Sequence, residues 1–455
     1  MAVPLRFVII GGGPAGNTAA TTAARLGAEV TLIERDLVGG AAHLHDCIPS
    51  KAMIATAGAM GMVDRVAGMG LTGGDANLDL ELLRERIQRI EKRLESNIVQ
   101  LLQSQGVRMI LGSGRLKGPH EIAVETDEGV SEIEADAILV STGSRPRVPD
   151  WAPVDGVRIL TTRDAYPPRE LPEHLVVIGS GVTGVEFVHM FSSLGSRVTL
   201  IVSRQQVLPQ KDPEVAAALE DELLRRGVQL YKGARAEGVD VTEAGVAVRC
   251  NDGRVASGSH ALLAVGSIPN SDGLGLDAAG VDVDAGGYVP INHHCVTSVP
   301  HVYAAGDLSG KLPLSSVAAM QGRKIAEHVM GLHTRVHRHL DYDKAASAIF
   351  TEPEIADVGL AEADAFAEGR KLRVTKVPFS ASAKALINNE TKGFVKILSD
   401  PATGVVLGGS IVGRQAAELI SVIAVAVTNG LRVNDIVESL LVHPSLAEAL
   451  ADAAE

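Results

Sequence analysis

Phe7-Val8-Ile9-Ile10-Gly11-Gly12-Gly13-Pro14-Ala15-Gly16 is the stretch from which the fold follows. Four consecutive apolar residues fit a strand buried on both faces. The glycines then punctuate a tight turn, an alanine-rich helix runs to Leu26, and Val30-Thr31-Leu32-Ile33 reads as a second strand ending at Glu34. The order strand, helix, strand predicts a parallel pair joined by a crossover. The same arrangement returns with Leu175-Val176-Val177-Ile178, Gly179-Ser180-Gly181-Val182-Thr183-Gly184, a helix to Leu194, and a strand over Val198-Thr199-Leu200-Ile201-Val202. Two such units make the chain an α/β protein.

Each glycine in the G-x-G-x-x-G spacing has a distinct physical task. The first permits the turn, the second lets backbone approach a pyrophosphate, and the third lets helix pack against strand, while the helix N-terminus attracts phosphate charge. One such loop is weak evidence, because glycine also marks ordinary turns. Two, each between a strand and a helix, predict two dinucleotide sites. Their second strands end differently. Glu34 stands about 20 residues past the first loop, where a carboxylate accepts the hydroxyls of an unmodified adenosine ribose and repels a 2′-phosphate. The second strand runs into Ser203 and Arg204 with no acid at its tip, so NADH and NADPH both remain open there. Two dinucleotide folds in one chain suggest a nicotinamide nucleotide passing hydride to a permanently held flavin.

The remaining sequence fills in around these units. Leu83, Ile87, Ile90, Leu94, Ile98 and Leu101 recur at helical spacing with charge on the other face, predicting a covering helix that stops near Gly106. After Pro353, strands over Phe394 to Leu398 and Val405 to Val412, then an apolar helix from about Ala416, predict an α+β domain from about Asp341. Met53, Met60, Met62 and Met69 are read as pliable core filler. The 455 residues suit two to four domains. A formal net charge of −13 is the wrong sign for wrapping a phosphate backbone, so nucleic acid is not an expected partner. The N-terminus lacks signal-peptide character, and Leu419 to Val427 is too short to span a bilayer, so no membrane anchor is expected. Three cysteines, Cys47, Cys250 and Cys295, cannot all pair, which favours a reducing cytoplasm. Metal binding by His43, His45, Asp46 and Cys47, or by His293, His294 and Cys295, is not expected, because neither cluster has a second ligand pair to close a tetrahedron.

Several further segments carry a resemblance that covers essentially the whole chain in order. Gly39-Gly40-Ala41-Ala42-His43-Leu44-His45-Asp46-Cys47-Ile48-Pro49-Ser50-Lys51, Ser141-Thr142-Gly143-Ser144-Arg145-Pro146, Val265-Gly266-Ser267-Ile268-Pro269-Asn270, Ala305-Gly306-Asp307, Thr351-Glu352-Pro353-Glu354 and His443-Pro444 resemble motifs of the pyridine nucleotide–disulfide oxidoreductases, the family of dihydrolipoamide dehydrogenase and glutathione reductase. The resemblance implies two Rossmann-like dinucleotide-binding domains plus a C-terminal α+β dimerisation domain. Residues 1–150 and 271–340 would form the FAD domain, 151–270 the NAD(P)H domain and 341–455 the dimerisation domain. FAD would be held by Gly11, Gly13, Pro14, Ala15, Gly16, Glu34, Arg35, Gly40, Ala41, Lys51, Gly114, Thr142, Gly143, Asp307 and Ser315. NADH or NADPH would be held by Gly179, Gly181, Val182, Thr183, Gly184, Ser203, Arg204, Val265 and Gly266. Lys51 would sit by the flavin N5 edge paired with Glu186. His443, oriented by Glu448, would act at the flavin site of a partner subunit in a homodimer.

The family's redox disulfide is where this chain departs. Disulfide-reducing members carry two cysteines with four residues between them before Ile-Pro-Ser-Lys; here the second is Cys47, and the first position is Ala42. Electrons must then leave the reduced flavin directly or through Cys47 alone. The segment Ala41 to Cys47, together with Gly258 to Leu262, Leu312-Pro313-Leu314 and Val317 to Arg323, resembles the NAD(P)H:quinone reductases of this family known from actinobacteria. That resemblance implies a small quinone-type acceptor. Cys47 is open to two readings, a reactive thiolate or an inert remnant packed beneath the flavin, and His443 to two, a proton donor to the quinol or an interface residue. The alternatives are a dihydrolipoamide dehydrogenase, a single-thiol peroxide or CoA-disulfide reductase, and a redox-sensing flavoprotein or complex subunit.

Overall fold

A computed structural model describes residues 4–66, 69, 71, 76–332 and 340–455. The chain divides into two compact units, Met1–Ser50 with Glu81–Arg147 and Gly266–Tyr342, and Lys51–Leu80 with Val148–Val265 and Asp343–Glu455.

The first unit is built on a five-stranded parallel sheet in the order Val302–Ala304, Ala137–Val140, Arg6–Ile10, Glu29–Glu34, Arg108–Leu111. Phe7 pairs with Val30 on one side and Ala137 on the other, so the opening strand is central and buried on both faces. Phe7 and Ile9 join one core with Ala19, Leu32 and Leu139, while Val8 and Ile10 join a second with Ile33, Ile138 and Leu308. That explains why this strand reads as unbroken hydrophobicity rather than alternation. The helix Pro14–Arg25 presents Ala15, Gly16, Ala19, Ala20 and Ala23 inward. Small residues there allow the helix Ser315–Val329 to cross closely: a β-carbon on Gly322 would lie 2.1 Å from the carbonyl oxygen of Ala15. A three-stranded antiparallel sheet, Ser113–Leu116, Glu121–Thr126 and Gly129–Glu134, completes this unit's sheets together with a two-stranded pairing of Ser144–Pro146 and Ser267–Pro269.

The second unit contains the repeat, a parallel sheet ordered Gln229–Lys232, Arg197–Val202, His174–Ile178, His260–Leu263, Ile159–Thr161. It also holds the antiparallel sheet Ser347–Ile349, Ile355–Gly359, Val406–Val412, Phe394–Ser399, Arg373–Pro378, whose core with helix Ala416–Asn429 includes Val395, Ile411, Ile420 and Ile423. Lys396 is buried in this unit, its ammonium 2.6 Å from Glu214, 2.9 Å from Glu362 and 3.3 Å from Asp212. Burial alone would push its pKa down, but these carboxylates outweigh that and raise it.

Two expectations need correction. Met53 is buried, but Met62 and Met69 are 45% and 54% exposed, so the methionines do not form one core set. On the covering helix Leu80–Ser104 the last inward residue is Leu102, whereas Leu101 faces out. Leu101 lies 18 residues past Leu83, five whole turns at 3.6 residues per turn, so the helical period alone does not account for its exposure.

Candidate functional site

In the first unit, most of the residues expected to hold FAD gather at the C-terminal ends of the parallel strands, where open α/β sheets bind ligands. Gly11 has φ +103°, and a β-carbon there would lie 2.4 Å from the Ser141 carbonyl oxygen. Gly13 caps the helix in extended conformation, Pro14 opens it, and Ala15 and Gly16 are buried in its first turn, with Gly16 so close that a β-carbon would meet Gly11 O at 2.0 Å. Gly40 passes directly over Gly13, its own β-carbon position 2.5 Å from Gly13 Cα. Ala41 is half-buried beside it and Arg35 is exposed at the strand end.

Glu34 points back to the loop: Gly12 N donates to its Oε2 at 2.7 Å and Asp36 N to its Oε1 at 2.9 Å. A carboxylate anchored by two backbone donors is held in place before any ligand arrives. Thr142 and Asn270 exchange hydrogen bonds, Thr142 Oγ1 donating to Asn270 O at 2.7 Å and Asn270 Nδ2 to Thr142 O at 2.9 Å. This holds Gly143 at φ +68° facing open space. Asp307 accepts from Ser144 Oγ at 2.6 Å. Burial pushes the Asp307 carboxyl up, the Ser144 hydroxyl opposes this, and the charge of Asp46 adds to the upward push. The preceding Gly306 N donates to Gln321 Oε1 at 2.7 Å. Gly114 lies among Ile10 and Ile33 side chains at 3.3 Å, a packing position in its strand.

Cys47 ends the π-helical turn Ala42–Cys47 and is half-buried, its Sγ 3.9 Å from the Oγ of Ser315, the first residue of the helix Ser315–Val329. Cys250 and Cys295 are buried, and none of the three cysteines is in a disulfide; burial pushes the Cys295 thiol up to about 11. The side chains of Ala42 and His43 lie outside those described. Among the described residues no group of three or more His, Cys, Asp or Glu is arranged to hold a metal ion.

The second glycine loop repeats the first in its own unit. Gly179 has φ +110° and stands against Ala264 O; Gly184 would place a β-carbon 1.9 Å from Gly179 O. Gly181 caps the helix Val182–Ser193, and the space beside it is open. Val182 and Thr183 are exposed on the first helical turn, and Ser203 and Arg204 are exposed past the strand Arg197–Val202. Val265 packs on that domain's core. Gly266, the first residue of the other unit's last segment, has φ +92° and accepts a hydrogen bond from Arg147 N at 2.9 Å.

Lys51 and Glu186 meet in the second unit, Nζ to Oε2 at 2.9 Å. Glu186 is only 4% exposed. Its Oε1 accepts from Phe350 N at 2.9 Å, and the Lys51 ammonium stands 4.6 Å from the centre of the Phe350 ring. Phe350 escaped the sequence reading because the recognised motif begins one residue later, at Thr351. His443 Nδ1 and Glu448 Oε1 are 2.7 Å apart, and Ser445 N donates to Glu448 Oε2 at 2.8 Å. The Ser445 amide first, and His443 second, hold the Glu448 carboxyl below its ordinary pKa. His443 is 75% exposed and follows two exposed apolar side chains, Leu440 and Val442.

Two glycine-capped helix starts, a carboxylate anchored at the first of them and a half-buried lysine paired with a buried glutamate suit a nucleotide-dependent oxidoreductase. The chain belongs to the pyridine nucleotide-disulphide oxidoreductase family, whose model matches residues 5–322, and the family's dimerisation domain matches 345–454. It is 42% identical to the NAD(P)H dehydrogenase (quinone) of Mycobacterium tuberculosis over 99% of this chain and 93% of that one. It is 33% identical to a dihydrolipoyl dehydrogenase of Bacillus subtilis over 99% and 98%. Among solved structures, LpdA from M. tuberculosis superposes with a TM-score of 0.94 at 41% identity, with 99% of each chain covered. The HOCl-induced flavoprotein disulfide reductase RclA from Escherichia coli superposes at 0.87 and 26% identity, again over 99% of each. No helix among the described residues is long and apolar enough to cross a membrane.

Proposed function

We propose that this chain is an FAD-dependent NAD(P)H:quinone oxidoreductase that works as a cytoplasmic homodimer and passes electrons to a small quinone-type acceptor without a redox disulfide. The observation that carries the reading is Cys47 standing without a cysteine at position 42, in a chain whose three cysteines form no disulfide. The domain limits proposed are 1–150 with 271–340 for FAD, 151–270 for NAD(P)H and 341–455 for dimerisation.

The residues fit a flavin dinucleotide. The extended cap at Gly13, the open space beside Gly143 and the anchored Glu34 leave a cradle that side chains would otherwise fill. Bound there, FAD would supply two-electron chemistry between a nicotinamide and an acceptor. Gly11, Gly13 and Gly16 would bring backbone amides to its pyrophosphate, Glu34 would take its adenosine ribose and Asp307 its ribityl chain. The loop Gly179 to Gly184 would receive the nicotinamide nucleotide, with Ser203 and Arg204 tolerating a 2′-phosphate. Lys51, held by Glu186, would favour added negative charge on the ring system. His443, oriented by Glu448, would donate a proton to the departing quinol in the partner's site. The exposed Leu440 and Val442 beside it suit burial against a second copy.

The test is turnover by purified yellow protein of NADH and NADPH with a benzoquinone, menadione and lipoamide. Quinone reduction without lipoamide reduction is expected, and it survives Cys47→Ser. Lipoamide turnover by the wild type would sink the quinone reading, and quinone activity lost in Cys47→Ser would make that thiol a participant. His443→Gln is expected to lower quinone turnover by about 100-fold; undiminished turnover leaves His443 an interface residue.

A further inference from the structure

The Lys51–Glu186 pair sits inside a larger construction in the second unit. Both oxygens of the buried Glu186 carboxylate are used, Oε2 on the Lys51 ammonium and Oε1 on the backbone amide of Phe350. The ring of the same Phe350 faces the ammonium at 4.6 Å from its centre. One residue therefore holds the pair at two points: its amide fixes the carboxylate, and its π face attracts the cation. The ring's attraction narrows the rotamers with which a long flexible lysine can keep its contact to the carboxylate.

Phe350 can do this only if its segment is itself held against the helix Val182–Ser193, which carries Glu186. Arg226 provides that hold. Its Nη2 donates to the carbonyl oxygen of Glu352 at 3.0 Å, two residues past Phe350. Its Nη1 lies 3.1 Å from His189 Nδ1 and donates to Ser193 Oγ at 3.1 Å, both on the helix of Glu186. Its Nε donates to the buried Glu222 at 2.8 Å. The guanidinium thus ties the Phe350 segment to the Glu186 helix by a rigid, always-charged fork.

We infer that Phe350 is a positioning residue for Lys51, setting where the ammonium stands and thereby how strongly it favours the reduced flavin. The inference rests on the proposed placement of Lys51 against the flavin. Phe350 is half-buried, so its ring can be exchanged without opening a core cavity.

The experiment measures the equilibrium constant for two-electron flavin reduction in the holoprotein, against a reference dye, for four variants. Phe350→Leu keeps the backbone amide and removes the ring; it is expected to lower that constant about threefold to tenfold, a tenfold change corresponding to about 30 mV for a two-electron couple. Phe350→Tyr, which retains the ring, is expected to match the wild type. Lys51→Met is expected to lower the constant further, and Lys51→Met with Phe350→Leu to equal Lys51→Met alone, because the ring acts through the ammonium. If Phe350→Leu does not accumulate as holoprotein, Phe350→Met takes its place in both backgrounds. A shift in Lys51→Met with none in Phe350→Leu overturns the inference alone. Equal shifts from Phe350→Leu with and without Lys51 also overturn it, as a merely structural residue would give them. No shift in Lys51→Met overturns the placement of Lys51 at the flavin, and the inference with it.

Discussion

Gly184→Ala is expected to slow reduction of the flavin by NADH and NADPH at least about 100-fold, while bound FAD and its reduction by light or dithionite stay normal. The cause is local. A β-carbon at Gly184 would stand 1.9 Å from the carbonyl oxygen of Gly179, a backbone atom with no rotamer to retreat into. Helix and loop must separate by an ångström or more, and a displacement of that size at a site that orients reacting groups costs orders of magnitude in rate. Gly181→Ala is the contrasting variant. Gly181 is in extended conformation with open space around it, so the protein folds unchanged and the added methyl meets only a bound nucleotide. Rapid-mixing traces over a range of NADH concentration separate the two: Gly184→Ala loses the limiting rate, whereas Gly181→Ala mainly raises the concentration needed to reach it. Normal reduction rates in Gly184→Ala would mean that the second glycine loop does not receive the nicotinamide nucleotide.

Acid sensitivity is the second large effect, and it originates in the buried cluster around Arg226. Burial, with the neighbouring Arg226 charge adding to it, depresses His189 from its ordinary 6.5 to about 3. Between these values the unfolded imidazole takes up a proton that the folded one refuses, so stability is full above 6.5 and falls as pH drops toward 3. The slope is about 1.4 kcal/mol per pH unit, or about 3 kcal/mol between pH 6.5 and 4. Glu222 adds a lower window. Burial raises its pKa, but Arg225, Lys392 and Arg226 outweigh this and hold it at about 2 against an ordinary 4.5. Its contribution is complete above 4.5 and is lost as pH falls through 2. Thermal midpoints of the holoprotein are expected to hold from pH 7.5 to about 6.5 and to fall from there to pH 4, and His189→Gln, which keeps an acceptor for Arg226, to remove most of that slope. Glu222→Gln is expected to cost about 3 kcal/mol at pH 7, since it strands three cations around a neutral amide. A midpoint independent of pH in the wild type would mean that His189 is protonated in the folded protein.

What could be read from the sequence was whatever has a short period or a fixed spacing. Both glycine loops lie where the spacing puts them because the first and third glycine of each answer to an atom a few residues away or at the adjacent strand: Gly16 to Gly11, Gly184 to Gly179, Gly11 to Ser141, Gly179 to Ala264. Glu34, Lys51, Glu186, His443 and Glu448 were legible through motif context, and the structure brings the last four together in two pairs. Their roles toward a flavin and a nicotinamide remain proposals. The unread part depends on contacts between distant segments. Ser144 reaches Asp307, Gln321 reaches Gly306, and Arg226 reaches Glu352, yet none has a local pattern that marks its partner. Met62 and Met69 escape the sequence for a similar reason, since composition shows that a side chain is apolar but not whether anything covers it.

The strand Val302–Ala304, which pairs with Ala137–Val140 at one edge of the first sheet, bears on how the protein comes off the ribosome. Its neighbour emerges more than 160 residues earlier, a wait of roughly 10 to 30 seconds at ordinary rates of synthesis. Throughout that interval the nascent sheet exposes an apolar strand with an unpaired edge, the condition that invites association with other chains. The intervening parallel sheet draws all its strands from residues 159–263 and can close meanwhile. Asp307 follows the late strand directly, so a chain truncated before it lacks both the sheet's edge and the acid assigned to the ribityl chain. On the proposed placement of FAD, stable flavin capture waits for residues 302–307 to emerge and pair, rather than for folding of the N-terminal third.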